Sequence, residues 1–111
     1  MPGNGFLLAE YGESVAGCVA FARLNGIAAE MARLFVRPAH RRSGVARALI
    51  VGVLTEAEAA GHRRMVLHTL PEWQAACALY SELEFQPIPA YTGVTVAEAV
   101  YYARDLYKVT T

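Results

Sequence analysis

The stretch from Val36 to Leu49 most restricts what this chain can become. Ile27 to Val36 reads as a strand, and Pro38 stops it, because proline cannot donate to a sheet ladder. A basic loop follows, Ala39-His40-Arg41-Arg42-Ser43, and Gly44 opens a helix. Val45, Leu49, Val53 and Leu54 recur at helical spacing among alanines, and Gly61 suits the C-terminal cap. Arg64 to Thr69, centred on Met65-Val66-Leu67, is a short apolar strand. A strand, a helix and a strand in that order make a crossover, which joins parallel strands of one sheet.

The segments on either side add antiparallel strands and a second helix. Phe6 to Glu10 and Val15 to Arg23 are apolar runs separated by the turn-like Tyr11-Gly12-Glu13-Ser14. Asn25-Gly26 is a hairpin signal, since both residues tolerate positive φ. These runs and the strand ending at Val36 form an antiparallel meander. Period two puts Glu30, Ala32 and Leu34 on one face of its last strand, and Met31, Arg33 and Phe35 on the other. Glu72 to Leu83 reads as a helix with Trp73, Ala76, Leu79, Tyr80 and Leu83 along one side. Phe85 to Ile88 is a further strand, Pro87, Pro89 and Gly93 mark a loop around Tyr91, and Glu98 to Tyr107 is the last strand. The expected fold is α/β (α+β): a mixed central sheet, a meander followed by a parallel crossover, and helices on its faces.

Composition narrows the function classes. At 111 residues with 55% hydrophobic and 18% charged side chains, the chain suits one packed domain, residues 1–111. Ten basic and ten acidic residues cancel, so nothing points to a nucleic acid partner. The longest apolar stretch, Val45 to Leu54, contains Arg47 and is too short to span a membrane. Met1 to Phe6 has no signal-peptide pattern, and Cys18 and Cys77 read as separate thiols in a cytoplasmic setting. His40, His62, His68 and the cysteines lack the spacing of a metal site. A neutral, apolar chain also suggests self-association, most simply a homodimer.

The chemistry concentrates at the loop before Gly44. The first amides of a helix have no partner within it, and the helix dipole adds positive potential there. Arg41 and Arg42 add full charges, so this terminus suits a phosphate. On these residues alone the loop reads equally as an anion site or as a solvated basic loop whose small residues serve helix packing.

Arg41-Arg42-Ser43-Gly44-Val45-Ala46 resembles the Arg/Gln-x-x-Gly-x-Gly/Ala signature of the GNAT N-acetyltransferase superfamily. Leu34-Phe35-Val36-Arg37-Pro38 resembles the strand before it, and Ala78-Leu79-Tyr80-Ser81-Glu82-Leu83-Glu84-Phe85 a later family segment. The resemblance runs from about Phe6 to Leu106 and implies a GNAT-type sheet. It also implies acetyl-CoA as co-substrate, with no metal, and direct acetyl transfer to a small-molecule or peptide amine. It assigns the CoA phosphates to the backbone of Arg42, Ser43, Gly44, Val45 and Ala46 with the side chains of Arg41 and Arg42. Leu34, Phe35 and Val36 fall to the pantetheine arm, and Trp73 to the place of a CoA-contacting asparagine.

Tyr80 matches the family tyrosine beside the CoA sulfur, while its periodicity alone suits a core aromatic. Glu30, eleven residues ahead of Arg41, matches the general base of histone-modifying members. A solvated strand residue is its plain alternative. His68 is the runner-up base, and Tyr91 and Tyr101 are expected on the acceptor side. Two departures bear on activity. The family's first strand and helices find no counterpart before Phe6, so a natural short form, a truncated product, or a wall supplied by a partner is expected. Glu84 stands where a glycine is usual, so the turn there is expected to differ. A weak or inactive CoA-binding regulatory module is the alternative function.

Overall fold

The computed structural model describes residues 3–91 and 98–106. β1 (Gly5–Tyr11), β2 (Ser14–Arg23) and β3 (Ala28–Val36) form the antiparallel meander. α1 (Val45–Ala59) crosses to β4 (Arg64–Thr69), which pairs parallel with β3. α2 (Gln74–Glu82), β5 (Gln86–Ile88) and β6 (Val100–Asp105) follow. The six strands lie in the order β1-β2-β3-β4-β6-β5. Gly93 and Tyr107, expected in a loop and at a strand end, lie outside the described residues.

Local chemistry explains most of the element ends. Gly61 follows α1 at φ 94, and the amides of Gly61 and His62 bond back to Glu58 and Ala57 oxygens at 3.0 and 3.1 Å. This is a Schellman cap, which needs a left-handed residue. α2 closes in the same way: the amides of Glu84 and Phe85 bond to Ser81 and Tyr80 oxygens at 3.1 and 3.0 Å. Glu84 takes φ 70 itself, so the expected change of turn does not occur. The Asn25-Gly26 turn does differ from expectation, because neither residue adopts positive φ. The Asn25 side chain instead accepts the amides of Ile27 and Ala28, both at 2.9 Å.

A bulge in β3 changes which side chains point inward. Cys18 pairs with Phe35 and Ala20 with Ala32, so a step of two residues in β2 matches a step of three in β3. Arg33 absorbs the extra residue at φ 61. Ala29 and Met31 face the core before the bulge, and Leu34 and Val36 after it. Strict alternation, with Glu30, Ala32 and Leu34 on one face, therefore fails at Arg33.

Both helices cover one face of the sheet. Leu49, Ile50, Val53 and Ala57 of α1 and Tyr80 of α2 share a cluster with Val19, Met31, Met65 and Leu67 of the strands. On the opposite face Phe6, Ala20 and Ala32 align across β1, β2 and β3, as do Leu8, Cys18 and Phe35. Phe6, Leu8 and Phe35 keep 61%, 52% and 51% exposure, so this face is bare among the described residues. No helix among them is long and apolar enough to cross a membrane.

The parallel seam is short. β3 and β4 pair only between Ala28–Glu30 and Arg64–Val66. Beyond it β3 stays with β2 to Val36 and β4 stays with β6 to Thr69. The sheet thus opens into a gap after Glu30 and Val66.

Candidate functional site

The loop between β3 and α1 is built from backbone. A single 3-10 turn, Pro38–His40, follows β3. Arg41 Nε donates to Val36 O at 3.1 Å and ties the loop to the strand end. Arg42 and Gly44 take left-handed φ, 63 and 83. Ser43 turns its hydroxyl back to His40 O, so what it presents here is backbone. A Cβ on Gly44 would meet nothing within 4 Å, so the backbone angle, and not crowding, calls for glycine. α1 begins at Gly44 with no side-chain cap and no acidic residue in its first turn. Its ladder starts with Ala48 N–H on Gly44 O at 3.0 Å. The amides of Val45, Ala46 and Arg47 lie ahead of that bond. With Arg41 and Arg42 they concentrate positive potential suited to an anion.

A cleft leads from this loop between the helices. One lobe of about 610 Å³ is lined by Arg41, Arg42, Gly44 and Ala46, and across from them by Leu79 and Tyr80. A second, of about 710 Å³, adds Phe35 and Trp73. Leu34, Val36, Arg41, Ala75 and Ala76 line both, so the lobes form one groove with apolar walls. Every residue expected at the cofactor lines it except Ser43. Arg47 and Glu82 join α1 to α2 through an ion pair at its rim.

Tyr80 packs in the core and also reaches the cleft. It is 5% exposed, with ring centroids 5.7 Å from Phe85 and 5.8 Å from Tyr102, and it still lines the cleft. Burial, with smaller contributions from Cys77 and Tyr102, pushes its phenol from 10.0 up to about 12. Tyr102 pairs with Leu67, the first β4 residue past the seam, which puts Tyr80 near the gap.

Glu30 stands on the other side of the sheet. Its neighbours Ala29 and Met31 face the helices, so its side chain points to the bare face. There the Tyr91 hydroxyl donates to Glu30 Oε2, and His68 Nδ1 lies 3.7 Å from the same oxygen. Burial first, then the bond to Glu30, raises the Tyr91 phenol far above its usual range. Tyr101 backs this group, 5.4 Å from Tyr91 and 5.8 Å from His68. His40 lies elsewhere, packed on Tyr11 at 5.5 Å. Neither the Tyr91–Glu30 bond, beyond a loop position after Pro89, nor the bulge at Arg33 has a local signal in the sequence. Among the described residues no group of three or more His, Cys, Asp and Glu side chains is placed to hold a metal ion.

A positive helix start and an apolar groove thus meet beside the gap in the sheet. The chain belongs to the acetyltransferase (GNAT) family, whose model matches residues 1–85. An uncharacterized N-acetyltransferase of Escherichia coli, YjgM, is 31% identical over 97 residues, which cover 85% of this chain and 58% of that protein. An uncharacterized N-acetyltransferase of Schizosaccharomyces pombe is 31% identical over 111 residues, 96% of this chain and 68% of its own length. The chain thus spans roughly three fifths to two thirds of these relatives. In fold it is similar to a Bacillus subtilis acetyltransferase solved with CoA, at TM-score 0.83 and 15% identity, covering 94% of this chain and 78% of that one.

Proposed function

We propose that this chain moves an acetyl group from acetyl-CoA to a primary amine by direct attack. The observation that carries this is the end of the β3–β4 seam at Glu30 and Val66, with the anion loop and groove on one side of the sheet and a carboxylate on the other. The amides of Arg42 to Ala46, with Arg41 and Arg42, hold the diphosphate. Leu34, Phe35 and Val36 guide the arm, whose thioester lies in the gap, and Trp73 flanks it.

The amine nitrogen bonds to the acetyl carbon, the carbon–sulfur bond breaks, and Glu30 accepts one amine proton. An acid for the leaving group must suit a thiol of pKa about 8.5. Tyr80, at about 12, holds its proton too firmly to hand it over, so it stabilises the thiolate by donating a hydrogen bond. Gly44→Glu sets a carboxylate at the anion site and strains a φ of 83. Calorimetry should then find no acetyl-CoA binding, and affinity equal to the unmodified chain would refute the site.

The bare face of β1–β3 favours a homodimer in which a second copy covers Phe6 and Leu8. Sedimentation should show a dimer that Phe6→Ser with Leu8→Ser converts to a monomer, and a monomeric parent chain would end that part. Two free cysteines and a CoA substrate fit a cytoplasmic setting. The same bare face supports a second reading, a CoA-binding regulatory module without an acceptor wall. Binding of acetyl-CoA with no thiol release across a broad amine panel would select it.

A further inference from the structure

Side chains from two separate segments converge on one carboxylate oxygen where the seam ends, and a ring from a third braces both. Tyr91, from the segment after β5, donates its hydroxyl to Glu30 Oε2. His68 of β4 places Nδ1 3.7 Å from that oxygen and 3.4 Å from the Tyr91 oxygen. Tyr101 of β6 supports both rings, meeting Tyr91 edge-on at 88° and His68 at 42°. A carboxylate that merely solvated a strand face would not gather two polar partners on the same atom, nor have both of them braced by a third ring. The side chain of His68 is 41% exposed and that of Glu30 31%, so the imidazole is the more open of the two to water.

We propose that Tyr91 and His68 are positioning and proton-relay residues for Glu30. Tyr91 fixes Oε2, which turns Oε1 toward the amine. His68 then takes the proton from Glu30 Oε1 through a bridging water and releases one to solvent. This rests on Glu30 being the base. The need for it is physical: an amine docked over Glu30 covers the carboxylate, and each turnover deposits one proton there. His68 Nδ1, 3.7 Å from Oε2, is beyond direct hydrogen-bond distance, so the proton on Oε1 reaches it through one bridging water. The imidazolium so formed returns a proton to solvent, which leaves the carboxylate ready for the next amine. Tyr91 does not compete for the proton, because burial and its bond to Glu30 keep the phenol protonated.

The test compares Glu30→Gln, His68→Ala and Tyr91→Phe with the unmodified chain. Thiol release from acetyl-CoA is followed with spermidine, tyramine and a tripeptide amide, and acetyl-CoA affinity is measured by calorimetry. Tyr91→Phe keeps the ring on Tyr101 and should lose about tenfold in turnover at unchanged acetyl-CoA affinity. His68→Ala should lose about tenfold or more and regain turnover on adding imidazole, which leaves the unmodified chain and Glu30→Gln unchanged. If Glu30→Gln is inactive while the other two variants turn over normally, or imidazole fails to restore His68→Ala, this relay is overturned and the base stands. If Glu30→Gln turns over normally, or no amine is acetylated by the unmodified chain, the base reading falls and the relay falls with it.

Discussion

Tyr80 carries two requirements in one side chain. Its ring fills the core beside Phe85 and Tyr102, and it also lines the cleft, where the proposed transfer needs a donor toward the leaving sulfur. The burial that anchors it also raises its pKa, from 10.0 to about 12. The folded state therefore holds the phenol proton where the unfolded chain has lost it. The stability this contributes is full below pH 10 and is lost as pH rises from about 10 through about 12. Thermal melts between pH 9 and 12 should fall more steeply for the unmodified chain than for Tyr80→Phe, and equal slopes would show that burial does not hold the proton. At neutral pH Tyr80→Phe should lower turnover about ten- to a hundredfold, with acetyl-CoA affinity little changed, since one hydrogen bond to a developing charge is removed. The sequence pointed to Tyr80 through a motif and to Glu30 through its spacing from Arg41. Loop position put Tyr91 on the acceptor side, but its bond to Glu30 was not legible, because it joins residues 61 positions apart and leaves no local pattern.

Helix ends and strand interiors differ in how much they reveal locally. A Schellman cap is set by one residue and its own helix, so Gly61 is readable as a stop. α2 uses the same geometry with Glu84 at φ 70, where a side chain costs about 1 kcal/mol relative to glycine. Glu84→Gly should raise the melting temperature by about 4–8 °C and leave turnover alone, because Glu84 lines neither lobe of the cleft. A drop in melting temperature would mean that the carboxylate contributes more than the backbone angle costs. The bulge in β3 is a property of a pair of strands. Nothing in Met31-Ala32-Arg33-Leu34 announces that Arg33 will be skipped, because the mismatch exists only in the register with β2. The same bulge turns Leu34 and Val36 toward the groove, so strict alternation misplaced residues that matter for the site.

At the scale of the molecule the sheet is two half-sheets, β1-β2-β3 and β4-β6-β5, joined by three parallel residue pairs and by α1 crossing behind them. The strand–helix–strand pattern foretold the crossover. The length of the seam was not legible, since it depends on how far two non-adjacent strands stay side by side. A short seam leaves backbone groups of Met31 to Val36 and of Leu67 to Thr69 along the gap without each other as partners. A thioester arm lying there would bond to those groups and bridge the halves. Ligand at a hundred times its dissociation constant adds about 2.7 kcal/mol to stability, which corresponds to a melting shift on the order of 10–20 °C. Hydrogen exchange should locate that gain. Acetyl-CoA should slow exchange at the amides of Val45 to Arg47 and on the gap-facing edges of β3 and β4, and leave β1 and β5 near their free rates. In Gly44→Glu the same addition should change neither the melt nor the exchange. Protection centred on the bare face of β1–β3 would place the ligand on the wrong side of the sheet, and uniform protection would mean that the two halves are already one rigid unit without it.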